Sequence, residues 1–293
     1  MNITANGIRI EVEDLGPHDA PAVLLIMGLG MQLIAWPPYF VQPLLDAGYR
    51  VIRFDNRDVG LSQYFDELGP PNLPSALARL PLGLPVKPLF TVHDMALDAL
   101  GVLDFLGVRK AHVVGVSMGG MIAQRVALAA PQRLLSLTSI MSSSGAAGLP
   151  QAEPHVLGAL VTPPPNDPDK ALEHFVKLYQ LIGSPAFPAD LVQMRERILA
   201  GLQRAFHPVG TARQLLAVLC DSGRAEELRA IRTPTLVLHG KQDPLVPYAC
   251  GEDTQRRIRG AQMVGIEGMG HDLPPGAAAR LLEALLPHLQ AHR

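Results

Sequence analysis

The pentapeptide at residues 115–119 is the strongest chemical signal in the sequence, because its letters, GVSMG, fit the pattern G-x-S-x-G. A buried apolar run, AHVVGV (residues 111–116), leads directly into it, and a helical pattern (121–130) follows. A strand-turn-helix context of this kind holds a serine in a strained turn with its Oγ free of the sheet. The context therefore predicts Ser117 as a nucleophile, in preference to a glycine-rich turn that only connects strand to helix.

A serine nucleophile also needs hydrogen-bond donors for the oxyanion that forms when it attacks a carbonyl carbon. The backbone N–H of Met118 opens the helix after Ser117 and is the first predicted donor. The second is predicted at Leu29, in the segment MGLGM (27–31), because a glycine on each side lets the backbone turn an N–H inward. An ordinary strand-to-helix turn is the alternative interpretation of that segment.

The general base is predicted at His271. In enzymes with this serine motif the triad runs along the chain as Ser, acid and His. Of the 10 histidines, those after the last predicted strand are His271, His288 and His292. His271 lies in a glycine-flanked loop, EGMGHD, from which it can reach the serine, whereas the other two fall on a helical pattern and are expected on its solvated face. Two more histidines lie inside predicted strands and are expected to be structural: His112 and His239.

The acid of the triad is predicted at Asp243, in the segment HGKQDP that follows an apolar run at 235–239. A buried carboxylate in this turn can accept the Nδ1–H of His271, hold its tautomer and stabilise the imidazolium. Four other carboxylates are weaker candidates. Asp221 and Asp253 are expected to cap helices, and Asp272 adjoins the base but points elsewhere. Glu267 is a reserve candidate.

A sheet is needed to bring these residues together, and the sequence predicts one. An alternating N-terminal pattern predicts an opening strand, and six short apolar runs recur along the chain, at 22–27, 49–54, 111–116, 134–141, 235–239 and 262–266. Helical patterns lie between them, as at 92–106, and close the chain at 277–292. Near-continuous apolar strands separated by helices predict an α/β fold with a mostly parallel central sheet and helices on both faces.

Two stretches interrupt this alternation. Residues 69–88 are rich in proline and leucine, and we expect them to pack over another part of the protein. Residues 142–222 contain three helical patterns (169–182, 189–206 and 209–220) and no strand pattern. We therefore predict a core made of residues 1–141 and 223–293, and a helical cap insertion, 142–222, over the carboxyl edge of the sheet.

Composition argues against several functional classes. The chain has 293 residues, 48% of them hydrophobic, and a net charge of -2, which offers no electrostatic case for nucleic acid or an anionic membrane. Apolar runs are too short for a membrane span, and the N-terminus has no basic-then-apolar leader. The two cysteines predict neither a disulfide framework nor a metal site. We expect Cys220 and Cys250 to be buried thiols, and a bridge between them is the alternative. We expect a cytoplasmic protein that needs no cofactor and acts on a small molecule.

On these residues, the sequence resembles the α/β-hydrolase family over nearly its whole length, and within it the aclacinomycin methylesterase type of bacterial esterase. The matching stretches are MGLGMQLIAWP (27–37), FDNRDVGLS (54–62), AHVVGVSMG (111–119), residues 234–244 and GMGHDL (268–273). The resemblance implies that 54–62 supports the fold beside the site, with Asp55 and Arg57 structural. One departure is Leu29, where those methylesterases tend to have glycine, and its side chain is expected to narrow the site.

The predicted function is a serine hydrolase that cleaves carboxylic esters of small to medium hydrophobic substrates through an acyl-enzyme, with Ser117, His271 and Asp243 as its triad. Two related chemistries on the same triad stay open as alternatives: a cofactor-free perhydrolase or haloperoxidase, and a carbon–carbon bond hydrolase. A non-catalytic protein that binds an apolar ligand is the rival from another class. A complete, ordered triad argues against it, because a binder has no need of all three groups.

Overall fold

The computed structural model describes residues 1–165 and 167–293. Its central sheet contains eight strands: β1 (Asn2–Ala5), β2 (Ile8–Leu15), β3 (Ala22–Ile26), β4 (Arg50–Phe54), β5 (Ala111–Val116), β6 (Leu134–Ile140), β7 (Thr235–Gly240) and β8 (Gln262–Ile266). The strand order is β1-β2-β4-β3-β5-β6-β7-β8. The pairs β1–β2 and β2–β4 are antiparallel, and the other pairs are parallel. The predicted α/β fold with a mostly parallel sheet is confirmed.

The helices are α1 (Pro38–Asp46), α2 (Leu73–Arg79), α3 (Val92–Phe105), α4 (Met118–Ala129), α5 (Pro154–Val161), α6 (Pro168–Ile182), α7 (Leu191–Arg204), α8 (Pro208–Leu219), α9 (Arg224–Glu227), α10 (Tyr248–Arg257) and α11 (Pro275–Ala291). Short 3-10 turns join several of these elements. Across the described ranges, no helix is long and apolar enough to cross a bilayer.

Helices cover both faces of the sheet because its strands are apolar on both sides. Along β3, Leu24 and Ile26 belong to a core shared with α3 and α4, whereas Val23 and Leu25 belong to a second core shared with α1 and α11. Successive side chains of a strand point to opposite faces, so an uninterrupted apolar run needs two packing partners. This packing leaves the carboxyl ends of the parallel strands and their loops to carry the site.

The N-terminal strands form a hairpin that the sequence reading only half predicted. The predicted opening strand, with its alternating Ile8 and Ile10, corresponds to β2. The short strand β1, which pairs with β2, was not predicted. Asn6 and Gly7 join the two strands, and both have positive φ angles, 49° and 76°. Asn-Gly between alternating segments is a strong hairpin signal, because both residues tolerate that conformation. The signal for β1 was therefore present in the sequence.

The two interrupting stretches differ from the regular core. Between β6 and β7, helices α5 to α8 follow one another without a strand in the described residues, and α5 was not predicted. The 69–88 stretch includes α2, which contacts α8 and buries Ala76. The expected packing of this stretch is wrong for Leu82 and Leu84, which lie beyond the end of α2 and are 73% and 45% exposed.

Candidate active site

Ser117 stands at the sharp turn between β5 and α4. Its φ and ψ are 55° and −121°, a conformation that costs a residue with a side chain about 1–3 kcal/mol. Gly115 and Gly119 make this turn possible, because a Cβ on either would collide with a backbone carbonyl, that of Gly119 or of Ile26. The Ser117 amide donates to Ile140 O at 2.9 Å and ties the turn to β6. The sheet thus holds the turn while the Ser117 side chain stays half-buried.

The three residues predicted as a triad lie together. His271 Nε2 is 3.0 Å from Ser117 Oγ, and His271 Nδ1 is 2.7 Å from Asp243 Oδ2. The His271 amide donates to Ile182 O at 2.7 Å, so the end of α6 holds the loop that carries the imidazole. These contacts let Asp243 fix the tautomer with hydrogen on Nδ1, which leaves Nε2 to accept the hydroxyl proton.

Asp243 is buried and is held as a carboxylate. Its Oδ1 accepts from the amides of Leu245 and Val246 at 2.9 and 2.8 Å, while Oδ2 faces His271. Burial alone would raise the pKa of Asp243, but the charge of His271 and the hydrogen bonds of His239 and His271 outweigh it and hold the pKa well below its usual range. The acid is therefore ionised throughout the range in which an imidazole acts as a base.

A second histidine contacts the acid, and the sequence reading missed that role. His239 was expected to be only structural, and it is fully buried in β7. Its Nε2 lies 2.8 Å from Val246 O and 3.5 Å from Asp243 Oδ2, so the hydrogen on Nε2 points into the turn that carries the acid. The sequence contained a signal for this contact, because His239 lies near the end of β7, only four residues before Asp243.

The other candidates lie in different surroundings. Asp272 is buried, and its Oδ1 accepts from Ser184 Oγ at 2.5 Å. Glu267 is exposed and pairs with Lys241. The expectation of helix caps is wrong for two aspartates, which form ion pairs with arginines instead: Asp221 and Asp253. The expectation of a solvated His288 is also wrong, because it is 7% exposed. Its helix, α11, packs on the sheet through Leu281, Leu285 and Leu289, and the same face includes His288.

The two predicted oxyanion donors flank the serine. Met118 is the first residue of α4, so its amide belongs to the helix N-terminus, where backbone N–H groups lack intrahelical partners. The loop with Leu29 approaches from β3: a Cβ on Gly28 would lie 3.2 Å from Ser117 Cβ and 3.8 Å from its Oγ. Among the described residues, neither the Leu29 nor the Met118 amide donates to a protein acceptor. Their role as oxyanion donors stays a prediction.

The supporting loop and the cysteines complete the surroundings. Asp55 accepts from the Leu33 and Leu61 amides at 2.7 and 2.8 Å, and Arg57 forms a buried bidentate pair with Asp98. Both cysteines are free thiols; Cys250 is buried, as expected, but Cys220 is half-buried. In residues 1–165 and 167–293, no group of three or more His, Cys, Asp or Glu side chains could hold a metal ion.

With this geometry established, comparisons with known proteins identify the family. A family model described as the alpha/beta hydrolase fold matches residues 21–275. The chain belongs to the α/β-hydrolase family. It is 33% identical to the rhodomycin D methylesterase of Streptomyces peucetius, over 99% of this chain and 97% of that protein. The predicted family and the predicted resemblance to bacterial methylesterases are confirmed.

Solved structures of other α/β hydrolases agree. A meta-cleavage product hydrolase from Pseudomonas fluorescens IP01 superposes with a TM-score of 0.77 at 20% identity, covering 100% of this chain and 98% of that one. A thermophilic esterase from Thermogutta terrifontis gives 0.69 at 25% identity, over 100% and 99% of the two chains. At 20% identity the first likeness concerns the fold alone, and it carries no statement about the reaction.

Proposed function

We propose that the protein is a serine hydrolase that cleaves carboxylic esters. The hydrogen-bonded series from Ser117 Oγ through His271 to Asp243, with distances of 3.0 and 2.7 Å, is the observation that carries the proposal. The methylesterase relative from Streptomyces peucetius supports ester hydrolysis, since it matches nearly the whole chain. The arrangement needs no further group to activate the serine hydroxyl.

The proposed reaction assigns a role to each of these groups. Ser117 Oγ bonds to the ester carbonyl carbon while His271 Nε2 takes its proton, and the amides of Leu29 and Met118 receive the carbonyl oxygen as it becomes negative. The tetrahedral species collapses, the carbon–alkoxy bond breaks, and the leaving alcohol takes the proton from His271. Water then loses a proton to His271 and attacks the acyl carbon, which releases the acid and restores the serine.

The substrate class and the cap belong to the same proposal. Half-buried apolar side chains in the loop after β3 and in the turn that carries the acid support a small to medium hydrophobic ester: Leu29, Met31, Leu245 and Val246. We propose that residues 142–222 form a cap on a core of 1–141 and 223–293, because hydrogen bonds from α7 and α8 reach the loop after β3. We also propose a cytoplasmic location. The net charge of -2 supports the further proposal that the protein has no role in nucleic-acid binding.

A fluorophosphonate probe tests the proposal directly. It bonds covalently to an activated serine, and mass spectrometry of the digested protein locates the adduct. We expect labelling at Ser117, no labelling of Ser117→Ala or His271→Ala, and normal labelling of His155→Ala, which removes an exposed histidine of α5. Well-folded protein that stays unlabelled, or Ser117→Ala with undiminished ester turnover, would contradict the proposal.

A further inference from the structure

The loop after β3, here called the oxyanion loop and comprising residues 27–33, forms hydrogen bonds with the inserted segment as well as with the loop after β4. Gly28 O accepts from the Met31 amide at 3.2 Å, and Gly30 has a φ of 67°, in the left-handed region. A segment with glycine on both sides of Leu29 has several backbone states of similar energy. A contact from outside the loop is therefore needed to select one of them.

Gln214 of α8 provides that contact. It is fully buried, 184 positions away in sequence, and its Oε1 accepts from the Gly30 amide at 2.9 Å. Its Nε2 donates to Arg57 O at 2.7 Å. The reverse orientation of the side-chain amide would place two donors together at Gly30 and two acceptors together at Arg57. The orientation of Gln214 is thus fixed at both ends, and so is the peptide that links Leu29 to Gly30.

The same residues show why this contact matters to the site. The Gly30 amide is occupied by Gln214, whereas the neighbouring Leu29 amide has no acceptor among the described residues. Successive peptides share a Cα atom, so displacement of the Leu29–Gly30 peptide would also move the Leu29 N–H. Thr211, one turn before Gln214, closes the space, since a Cβ on Gly30 would lie 2.7 Å from its Oγ1.

Helix α7 holds the far end of the loop. Gln32 Nε2 donates to the carbonyls of Gly201 and Ala205 at 2.7 and 2.8 Å. Arg204 bridges Gln32 Oε1 and Asp55 Oδ2 at 2.7 Å each, and Asp55 in turn accepts from the Leu33 amide. These contacts fix the position of Gln32 at one end of the oxyanion loop. The orientation of the central Leu29–Gly30 peptide then depends on Gln214.

We propose that Gln214 is a positioning residue of the oxyanion hole: by accepting from Gly30, it keeps the Leu29 N–H directed at the reacting carbonyl oxygen. This inference rests on the proposed function. It makes the inserted segment a structural part of the catalytic site, since the geometry of one oxyanion donor depends on a side chain of α8.

Gln214→Met keeps the length of the side chain but removes both the acceptor and the donor. We expect kcat for a p-nitrophenyl ester to fall about 10- to 100-fold, somewhat less than the loss of a whole oxyanion donor, with KM changed by less than about threefold. The affinity for a trifluoromethyl ketone, whose serine adduct bears an oxyanion, should fall by the same factor. Binding of an ether analogue of the ester, which has no carbonyl oxygen to occupy the oxyanion hole, should stay as in the wild type.

Two further variants sharpen the test. Gln214→Glu should recover most of the lost activity, because a protonated carboxyl in this buried position offers the same acceptor and donor as the amide. Gln255→Leu removes a glutamine of α10 that donates to the Ala261 carbonyl, and it should leave kcat and ketone affinity unchanged. Thermal melting of each variant gives the folded fraction used to normalise the rates.

Unchanged kcat and ketone affinity in Gln214→Met would overturn the inference. So would a fall in kcat that is matched by an equal loss of binding of the ether analogue, because that result means a general distortion of the site. If wild-type protein neither turns over esters nor labels at Ser117, the proposed function fails and this inference fails with it. If the wild type is labelled at Ser117 and Gln214→Met has the same kcat and ketone affinity as the wild type, the proposed function stands and only the inference fails.

Discussion

Among single residues, Asp243 shows how surroundings select one carboxylate from several. Glu267 is exposed and Asp272 is engaged by Ser184, whereas Asp243 is buried, accepts two backbone amides and faces His271. The sequence predicted this choice because Asp243 follows a buried strand within a turn bounded by Gly240 and Pro244. It could not predict the two amides, since they depend on the exact course of that turn.

Asp243→Asn tests the charge of this side chain. The asparagine oxygen can still accept from the Leu245 and Val246 amides, so we expect the turn to stay folded. The imidazolium loses its counter-charge and the preferred tautomer, and kcat should fall about 10⁴-fold, as for the corresponding change in other serine triads. Stopped-flow and steady-state ester hydrolysis, beside circular dichroism of the same sample, provide the measurement. A loss below tenfold would show that another group holds His271.

His239 tests whether the turn that carries the acid needs its contact with β7. His239→Leu removes the Nε2–H that lies 2.8 Å from Val246 O, and the Val246 amide is one of the two that donate to Asp243 Oδ1. We expect kcat for an ester, measured at steady state, to fall about 3- to 10-fold, because losing a hydrogen bond of about 1 kcal/mol loosens the position of the acid. His239→Gln retains a donor and should keep kcat near its wild-type value. An unchanged kcat in His239→Leu would mean that the histidine only fills space.

At the scale of elements, the sequence predicted strands β3 to β8 to within one residue at each end, because long apolar runs and glycine or proline boundaries carry most of that information. Strand β5 was predicted at 111–116, as observed. Helix α5 was missed because its pattern is apolar without a clear period, as the sequence PHVLGALV shows. The contact between Gln214 and Gly30 joins residues 184 positions apart, and no local pattern encodes such a pair.

The β5–α4 turn has no room for an added methyl group. Gly119→Ala would place a Cβ against the carbonyl of Ile26, on the adjacent strand β3. Backbone atoms at both sides prevent an easy adjustment, so the free energy of unfolding should fall by about 1–3 kcal/mol and labelling of Ser117 should be lost. Urea denaturation followed by circular dichroism measures the first effect, and the fluorophosphonate probe measures the second.

Gly158→Ala is the matched control for this substitution. Gly158 lies inside α5 with open space around the position of a Cβ, so alanine should leave stability unchanged or raise it by up to about 1 kcal/mol. A similar loss of stability in both variants would contradict the assignment of the effect to the turn, because a general intolerance to glycine replacement would explain it equally well.

For the whole molecule, two histidines outside the triad, His112 and His288, are buried in the fold. His112 of β5 is fully buried, with Nδ1 2.8 Å from Ser136 Oγ, and His288 of α11 is 7% exposed. Burial, together with the positive charge of His288 and its neighbours, lowers the pKa of His112 to about 4, and burial together with His292 lowers the pKa of His288 to about 4. Both groups are thus neutral in the folded protein at neutral pH.

This pair predicts how the stability of the whole chain depends on pH. In the unfolded chain each histidine takes up a proton near pH 6.5, whereas in the folded protein it does so only near pH 4, so the unfolded state binds more protons between these values. The melting temperature should therefore fall steadily as the pH is lowered from about 6.5 to about 4. His288→Leu should flatten that decline, whereas His155→Leu, which replaces an exposed histidine, should follow the wild-type curve. A decline of equal slope in His288→Leu and wild type would show that buried carboxylates, and not these histidines, set the acid limit of the fold.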